Sequence, residues 1–362
     1  MCQGRMHEFL KALPKCEHHM HLEGSLEPDL LFELAARNNI TLPQDDASFA
    51  SPAALVARYR RFTSLDDFLH YYFIGMTVLR TAADFEALAS AYFARVAARV
   101  HAPAHAHAND GGVVHAEVFF DPQAHTSRGV DYATVVAGFS AALARARADL
   151  GISCALIVCV LRHLPPEDGL EMYRRAIPDL QAGDFVTGLG LSSTELGNPP
   201  AKYRDIFADA ETRGFHRTAH AGEEADVTYM AAAVHELHVT RVDHGIKLVE
   251  DENVLAEFVA KGIMVTMCPL SNVELRCVKR VADLPVRRYL DAGVKFSINS
   301  DDPAYFGGYI LDNYCAVQEA FGLRTAEWER IVRHSIEGSW CSSERKAEIT
   351  RLLEDVMVKY RD

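Results

Sequence analysis

The 362-residue sequence lacks several features that define well-known classes of protein. Its eight cysteines are scattered, without a CxxC pair or the dense spacing of a secreted disulfide framework, so we expect mostly buried, reduced thiols. Positive charge is scarce. The 37 Lys and Arg residues against 50 Asp and Glu give a net charge of −13, which repels nucleic acid and anionic lipid surfaces. We therefore expect neither as a partner.

Long hydrophobic runs are also missing. The longest, ALIVCVL at 155–161, is too short to span a bilayer, and the first residues show no apolar core followed by a small-residue cleavage site. Hydrophobic residues make up 49% of the chain and charged residues 24%, which is typical of a globular protein with a sizeable core. We expect a soluble cytoplasmic protein, with the nucleus as a second location.

What the sequence does contain is a regular alternation of short apolar runs with longer stretches of helical periodicity. Eight such units in one chain favour a (β/α)₈ TIM barrel, an α/β fold, over an open doubly wound sheet, and the GxGxxG of a dinucleotide fold is absent. The predicted strands are 16–22, 113–120, 154–160, 186–191, 216–222, 240–245, 264–270 and 294–302.

The predicted domain organisation is a single barrel domain over 1–362 with two helical additions. A helical insertion is expected at about 30–105, because the interval between the first two strands is too long for one crossover, and C-terminal helices at about 310–362. The insertion ends in HAPAHAHANDGG at 101–112, which we interpret as a solvated loop and not a metal-binding tract.

Three histidines and one carboxylate stand at predicted strand ends. His19 and His21 alternate, so both imidazoles can face the barrel axis, although a histidine pair in a half-buried strand is at least as often structural. His220 ends the fifth strand and Asp301 the eighth. Because these strand ends converge at one face of a barrel, the four side chains are expected to be neighbours. Such a set suits zinc or a similar ion with a water in the remaining position.

Two more residues accompany this set. Glu223, three positions after His220, could transfer a proton, while a carboxylate that favours a helix N-terminus is an equally good interpretation. His244 ends the sixth strand and could orient a hydroxide, with a hydrogen-bonded core histidine as the alternative. The metal would lower the pKa of its water toward neutrality. The fourth strand has no lysine to bridge a second metal, so one ion per chain is expected.

The segments EHHMHLEGSLEP, TAHAGEE, RVDHG, CPLSNVEL and INSDDPAYFGGY together resemble the metal-dependent adenosine/adenine deaminase family of zinc amidohydrolases. They occur in the family's order and span nearly the whole chain. The resemblance implies a zinc-dependent hydrolase that removes the exocyclic amine of a 6-aminopurine, a small-molecule substrate, in purine salvage.

Carried over position by position, the resemblance implies four metal ligands: His19, His21, His220 and Asp301. Glu223 would donate a proton to purine N1, and His244 would orient the attacking hydroxide together with Asp301. Asp302 would bind the substrate through the purine's imidazole-side nitrogen. A proton on the ring weakens its aromatic electron density at carbon 6, so hydroxide can add and the amine can leave.

Within the family, HLEGS at 21–25 and LSSTELGNPPAKY at 191–203 look more like the adenine deaminase branch, of the fungal type, than the nucleoside branch. Glu23 could fill the volume of a sugar, and Ser192 stands where the family commonly has an aspartate. Adenine deamination is the leading hypothesis.

Three alternatives remain open. The first is deamination of adenosine or of an N6-substituted, cytokinin-like adenine. The second is another amidohydrolase activity, and the third is a non-catalytic barrel that binds a purine or a metal. A cytidine-deaminase-like site is excluded because HxE with PCxxC is absent.

Overall fold

The computed structural model describes residues 4–97 and 111–360, and its framework is a sheet of eight parallel strands. Each strand pairs with the next one in sequence, and a bridge between Met20 and Asp301 brings the first and last strands together. The expected (β/α)₈ TIM barrel with additional helices is confirmed. The strands are β1 Lys15–Glu17, β2 Val113–Phe120, β3 Ser153–Leu161, β4 Val186–Ser192, β5 His216–Ala221, β6 Arg241–His244, β7 Met264–Met267 and β8 Lys295–Ile298.

Helices surround the sheet and follow the strands. Their bounds, in chain order, are α1 Gly4–Ala12, α2 Pro28–Arg37, α3 Pro52–Tyr59, α4 Leu65–Met76, α5 Ala82–Val96, α6 Pro122–Thr126, α7 Tyr132–Leu150, α8 Pro166–Ala182, α9 Arg204–Thr212, α10 Val227–Glu236, α11 Glu252–Lys261, α12 Pro269–Glu274, α13 Val286–Ala292, α14 Pro303–Phe306, α15 Ile310–Phe321, α16 Thr325–Gly338 and α17 Ser343–Tyr360. No helix in the described ranges is both long enough and apolar enough to cross a membrane.

The strands lie where the apolar runs predict them, and the differences are at their ends. Strand β2 coincides with the predicted 113–120, and all of its residues are buried, as expected for a parallel strand covered on both faces. Three predicted strands run three or more residues past the observed end. Regular pairing stops at Glu17 in β1 and at Ile298 in β8, where the chain continues into the site described below. Strand β7 stops before Pro269, because the proline ring is suited to the first turn of α12.

Helix ends follow local chemistry. In α11, the Asp251 carboxylate accepts hydrogen bonds from the backbone N–H groups of Asn253 and Val254, which have no partner within the helix. Gly262, at a φ of 65°, adopts the left-handed conformation that ends it. This helix lies within the predicted 250–261, so its start is two residues later than expected.

Helices α2 to α5 separate β1 from β2, where the sequence predicts a helical insertion. Helix α4 lies over the carboxyl ends of the strands, and its buried residues include Phe68 and Tyr72. The predicted loop at 101–112 lies largely outside the described residues, so its conformation stays a prediction. The single-domain boundaries are likewise a prediction.

Six cysteines are free thiols: four are buried (Cys16, Cys154, Cys159 and Cys268) and two are half-buried (Cys277 and Cys341). Cys315 is engaged in a disulfide, so the expectation of reduced thiols is wrong at that residue.

Candidate active site

The segment after β1 is held between the two strands that flank it. The backbone N–H of Asp301 donates to the carbonyl of His19, and the N–H of His21 donates to the carbonyl of Asp301, at 3.0 and 2.9 Å. On the other side, the N–H of Phe119 donates to the carbonyl of Met20 at 2.8 Å. The chain thus stays extended beyond the regular strand, and both imidazoles reach the barrel axis.

The four predicted ligands meet at this point. The Nε2 atoms of His21 and His220 are 3.2 Å apart, and Asp301 Oδ1 lies 3.1 Å from His19 Nε2 and 3.6 Å from His21 Nε2. One potential donor atom from each side chain lies within 4.8 Å of all the others, and all four residues are buried. The arrangement is a possible metal-binding group. Cys268 lies beside it, in a second such group with His19, His244 and Asp301.

The outer hydrogen bonds leave the inner nitrogen atoms free to bind an ion. Leu191 offers a carbonyl to His220 Nδ1 at 3.0 Å, so Nδ1 carries the proton and Nε2 keeps its lone pair. The Thr266 hydroxyl donates to Asp243, and therefore accepts from His19 Nδ1 at 2.9 Å. These carbonyl, hydroxyl and carboxylate partners are those that orient metal-binding histidines in proteins.

Metal binding requires neutral imidazoles, and burial favours the neutral form of His21 and His220. Burial lowers the pKa of His21, and burial together with the neighbouring His19 lowers the pKa of His220 well below its usual value. At His19 burial also lowers the pKa, but the neighbouring Asp301 and Asp243 outweigh it and raise the pKa above its usual value. Burial alone would raise the pKa of Asp301, but the neighbouring histidines hold it well below its usual value. Three imidazoles and one carboxylate are a ligand set that fits a zinc ion.

Glu223 and His244 face this group from β5 and β6. His244 Nε2 lies 3.4 Å from Glu223 Oε2 and 3.8 Å from Asp301 Oδ2. The Asn272 amide lies 3.2 Å from His244 Nδ1, and its donation there leaves the imidazole proton on Nε2, facing the two acids. Burial lowers the pKa of His244 to about 3, so it is a neutral hydrogen-bond donor.

The backbone is strained at two of these residues. His244 has a φ of 61° and Asp301 a φ of 64°, in the left-handed region that side chains other than glycine rarely adopt. Each such residue costs about 1–3 kcal/mol and persists only where the surrounding structure enforces it. Both conformations turn a strand end sharply, so that the side chain faces the barrel axis.

Two acids of the site favour the protonated form. Burial, with the charges of Asp301 and Glu195, raises the pKa of Glu223 well above its usual value. Burial and the adjacent Asp301 also raise the pKa of Asp302. At neutral pH each of these carboxyl groups can therefore donate a proton in a hydrogen bond.

Asp302 packs directly against the backbone at Gly24, in the HLEGS segment. A Cβ atom at this position would lie 2.0 Å from Asp302 Oδ1, so only glycine allows the approach. Within residues 4–97 and 111–360, Asp302 Oδ1 is buried without a hydrogen-bond partner. An oxygen of this kind at a cavity wall is suited to bind a ligand.

These residues line one cavity at the carboxyl end of the barrel. Six of the seven predicted site residues line it: His21, His220, Glu223, His244, Asp301 and Asp302. His19 is fully buried beside them. The apolar part of the wall includes Leu65, Phe68, Leu69 and Phe73 from α4. A mostly apolar wall with a few converging polar groups is typical of small-molecule sites.

The sequence reasoning missed Asp121, which immediately follows β2 and lines the same cavity. Its carboxylate accepts hydrogen bonds from the hydroxyls of Tyr72, at 2.9 Å, and Ser192, at 3.2 Å. Burial raises its pKa to about 6. Its position at a strand's carboxyl end is a signal that could have found it.

Glu23 does not occupy the cavity as the sequence suggested. Its Oε1 atom accepts a hydrogen bond from the Asp121 backbone N–H at 3.0 Å and lies 2.9 Å from His125 Nε2. Of the residues described, those that line the cavity do not include Glu23. This side chain instead supports the turn that carries Asp121.

Glu195, which the sequence reasoning also missed, supports the loop that carries Glu223. Its two carboxylate oxygens accept four backbone N–H groups, those of residues 222, 223, 224 and 225, at 2.7, 3.1, 2.8 and 2.9 Å. Nearby, Arg162 Nη1 donates to the carbonyl of His220 at 2.7 Å. The backbone on both sides of the turn after β5 is therefore fixed by charged side chains.

Comparisons with known proteins agree with this arrangement. Residues 14–356 match the family model described as adenosine deaminase. The chain is 53% identical over 99% of both sequences to a protein of Aspergillus fumigatus named adenine deaminase. It is similar to the crystal structure of an adenine deaminase from Arthrobacter aurescens, with a TM-score of 0.87 and 40% identity over 96% of this chain and 99% of the other.

A second solved structure is that of an amidohydrolase from Burkholderia ambifaria with bound Zn. It aligns with a TM-score of 0.86 and 25% identity, over 99% of this chain and 96% of the other.

Glu195→Gln tests the support of the loop. An amide offers one acceptor oxygen instead of two, so several buried N–H groups lose their partner, and we expect the free energy of unfolding to fall by roughly 2–4 kcal/mol. Urea denaturation at equal metal content measures it. The control, Glu224→Gln on the same loop but half-buried, should lose less than about 1 kcal/mol. Equal losses in the two variants would contradict the assigned role of Glu195.

Proposed function

The chain belongs to the adenosine deaminase family, and on that premise we propose that it is an adenine deaminase, which converts adenine and water to hypoxanthine and ammonia. The observation that carries this proposal is 53% identity, over nearly the whole length of both chains, to a fungal protein named adenine deaminase. The convergence of the seven predicted site residues around one cavity supports it.

His19, His21, His220 and Asp301 would hold one zinc ion, since their free donor atoms converge and the outer nitrogens of His19 and His220 have hydrogen-bond partners suited to that role. When bound, zinc lowers the pKa of a coordinated water, so that a nucleophile is available near neutral pH.

Glu223 is the proton donor in this proposal. A purine ring resists addition at carbon 6 until its aromatic electron density is withdrawn, and a proton delivered to N1 does this. Glu223 holds that proton at neutral pH, because burial and two nearby negative charges raise its pKa. A carboxyl group bound to the backbone only as a helix cap would be expected to stay ionised.

His244 and Asp301 position the attacking water. The imidazole proton on His244 Nε2 faces Asp301 Oδ2 and Glu223 Oε2, so a water between these groups would be held by three polar atoms. A neutral imidazole donates this hydrogen bond without giving up its proton, and stabilises negative charge that develops on the oxygen. Asp302, with its unpaired buried oxygen, binds the imidazole-side nitrogen N7.

The remaining details of the function are also proposals. The sequence favours one zinc ion per chain, a role in purine salvage and a single-domain organisation. It also favours a cytoplasmic or nuclear location. The alternative substrates differ from adenine at one position each: adenosine carries a sugar on N9, and an N6-substituted adenine carries a group on its exocyclic nitrogen. Direct comparison of the three substrates therefore decides between them.

The substrate is tested by assaying the zinc-loaded protein with adenine, adenosine and N6-methyladenine at equal concentrations. We expect adenine to have the highest kcat/KM, because side chains of α4 line the cavity and leave little free space for a sugar or an N6 substituent. The rate of formation of the 6-oxopurine, which is hypoxanthine from the two bases and inosine from adenosine, measures it. A clear preference for adenosine or the N6-substituted base would overturn the proposal.

Glu223→Gln should keep its metal but lower kcat by roughly 10²-fold or more, the usual effect of removing a positioned proton donor. Steady-state kinetics and elemental analysis of the same preparation measure the two effects. Near-normal activity would show that Glu223 has another role. Glu224→Gln, one residue further along, is the matched control and should keep its activity.

His21→Ala should lose both metal and activity, because one of the four donor atoms disappears. Elemental analysis after dialysis against a weak chelator measures the metal. His163→Ala is a control for loss of an imidazole near the cavity, since His163 contacts Phe73 and Ser193 but is not in the ligand group. Full zinc occupancy in His21→Ala would remove His21 from the site.

A further inference from the structure

One acid in the cavity wall has no part in the reaction proposed above. Asp121 is 2% exposed, and its carboxylate lines the cavity from the end of β2. Tyr72 on α4 donates to one oxygen and Ser192 at the end of β4 donates to the other. A carboxylate has about four lone-pair positions, so each oxygen can still accept another hydrogen bond.

The order of the strands around the barrel places Asp121 relative to the other polar groups of the wall. Neighbouring strands follow one another from β1 to β8, and β8 meets β1 at the Met20–Asp301 bridge. Passing around the rim from β8 to β5 through β1, the polar groups come in a fixed sequence. They are Asp302 after β8, Asp121 after β2, Ser192 at the end of β4 and Glu223 after β5.

The edge of a purine has a matching order of nitrogen atoms. Starting beside carbon 6, they run N7, N9, N3 and N1, and return to carbon 6. The proposed function, on which this inference rests, assigns N7 to Asp302 and N1 to Glu223. A flat ring held at these two points turns N9 toward the part of the wall that lies next after Asp302, which is occupied by Asp121.

We propose that Asp121 accepts a hydrogen bond from the N9–H of free adenine and thereby selects the free base over purines substituted at N9. In the major tautomer of adenine, N9 carries the only N–H group of the imidazole ring. A nucleoside has a carbon substituent in its place. It therefore offers no donor at N9, and the buried carboxylate would not gain this third hydrogen bond.

The surroundings hold Asp121 in place before substrate binds. The two hydroxyls fix both oxygens, and Glu23 accepts the Asp121 backbone N–H at 3.0 Å. A carboxylate already fixed in position loses little conformational freedom when it binds a ligand. This arrangement also gives Ser192 a function, since its hydroxyl orients an acid supplied by another strand.

Asp121 could instead serve only to orient a metal ligand, because its Oδ2 lies 4.0 Å from His21 Nδ1. That distance is too long for a hydrogen bond. The two roles predict different outcomes. Loss of a group that orients His21 would lower zinc content and slow all substrates equally, whereas loss of a group that recognises N9–H would change the ratio between substrates.

The experiment compares adenine with 9-methyladenine, which lacks the N9 proton, in the zinc-loaded wild type and in Asp121→Asn and Asp121→Ala. The wild type should favour adenine in kcat/KM by roughly 10²-fold or more. Asp121→Ala should lose about 10- to 100-fold on adenine and little on 9-methyladenine, and Asp121→Asn, which keeps an acceptor oxygen, should be intermediate. Zinc content should be unchanged.

Asp66→Asn is the matched control, because Asp66 is a carboxylate on α4 that bonds Thr194 and does not line the cavity. It should keep the wild-type ratio. The inference is overturned if the wild type uses 9-methyladenine as well as adenine. It is also overturned if both Asp121 variants keep the wild-type ratio, or if both lose zinc and slow equally on the two purines. If Asp121→Ala does not fold, Asp121→Asn and the wild type decide.

Failure of the proposed function is a distinct outcome. If the wild type deaminates neither purine, adenine deamination is wrong, and calorimetric titration of both purines into the zinc-loaded protein still decides the role of Asp121. Adenine should then bind more tightly than 9-methyladenine in the wild type, and this preference should shrink in Asp121→Ala. Equal binding of the two purines by the wild type would overturn the inference.

Discussion

The structure depends on the short extended segment at 18–21, which backbone hydrogen bonds hold between the ends of β2 and β8. These bonds close the barrel at its carboxyl end and, by the same geometry, fix the alternation of His19 and His21 toward its axis. Asp301 takes part in both functions, since its backbone pairs with this segment and its carboxylate lies among the imidazoles. Closure of the sheet and assembly of the ligand group therefore depend on the same residues.

This arrangement lowers the stability of the fold in two ways, through buried ionisable groups and through backbone strain. Several ionisable groups are removed from water within one cavity, which forces some of them into their neutral forms. The left-handed backbone at His244 and Asp301 adds to the cost. Burial of a large apolar core between the sheet and the surrounding helices offsets these unfavourable contributions to the free energy of folding. The same environment produces a protonated Glu223 and a neutral His244, the states that the proposed chemistry requires.

Several acidic side chains surround the residues that would contact metal or substrate, and they hold the backbone of those residues in place. Glu195 fixes four N–H groups of the loop after β5, and Glu23 supports the turn that carries Asp121. Without these contacts, we expect the loop after β5 and the turn that carries Asp121 to be more mobile. Substrate selection, in this view, depends as much on Asp121 and its hydroxyl partners as on the residues nearest the metal.

The sequence by itself determined the alternation of strands and helices, and hence the barrel, because apolar periodicity is a local property. It also determined which residues stand at strand ends, so His19, His220 and Asp301 could be identified before their distances were known. Only the tertiary structure decided where β1 and β8 leave regular pairing, which way Glu23 turns, and that Glu195, Asp121 and Ser192 join the site. Those outcomes depend on hydrogen bonds between residues far apart in the chain, and no local pattern encodes them.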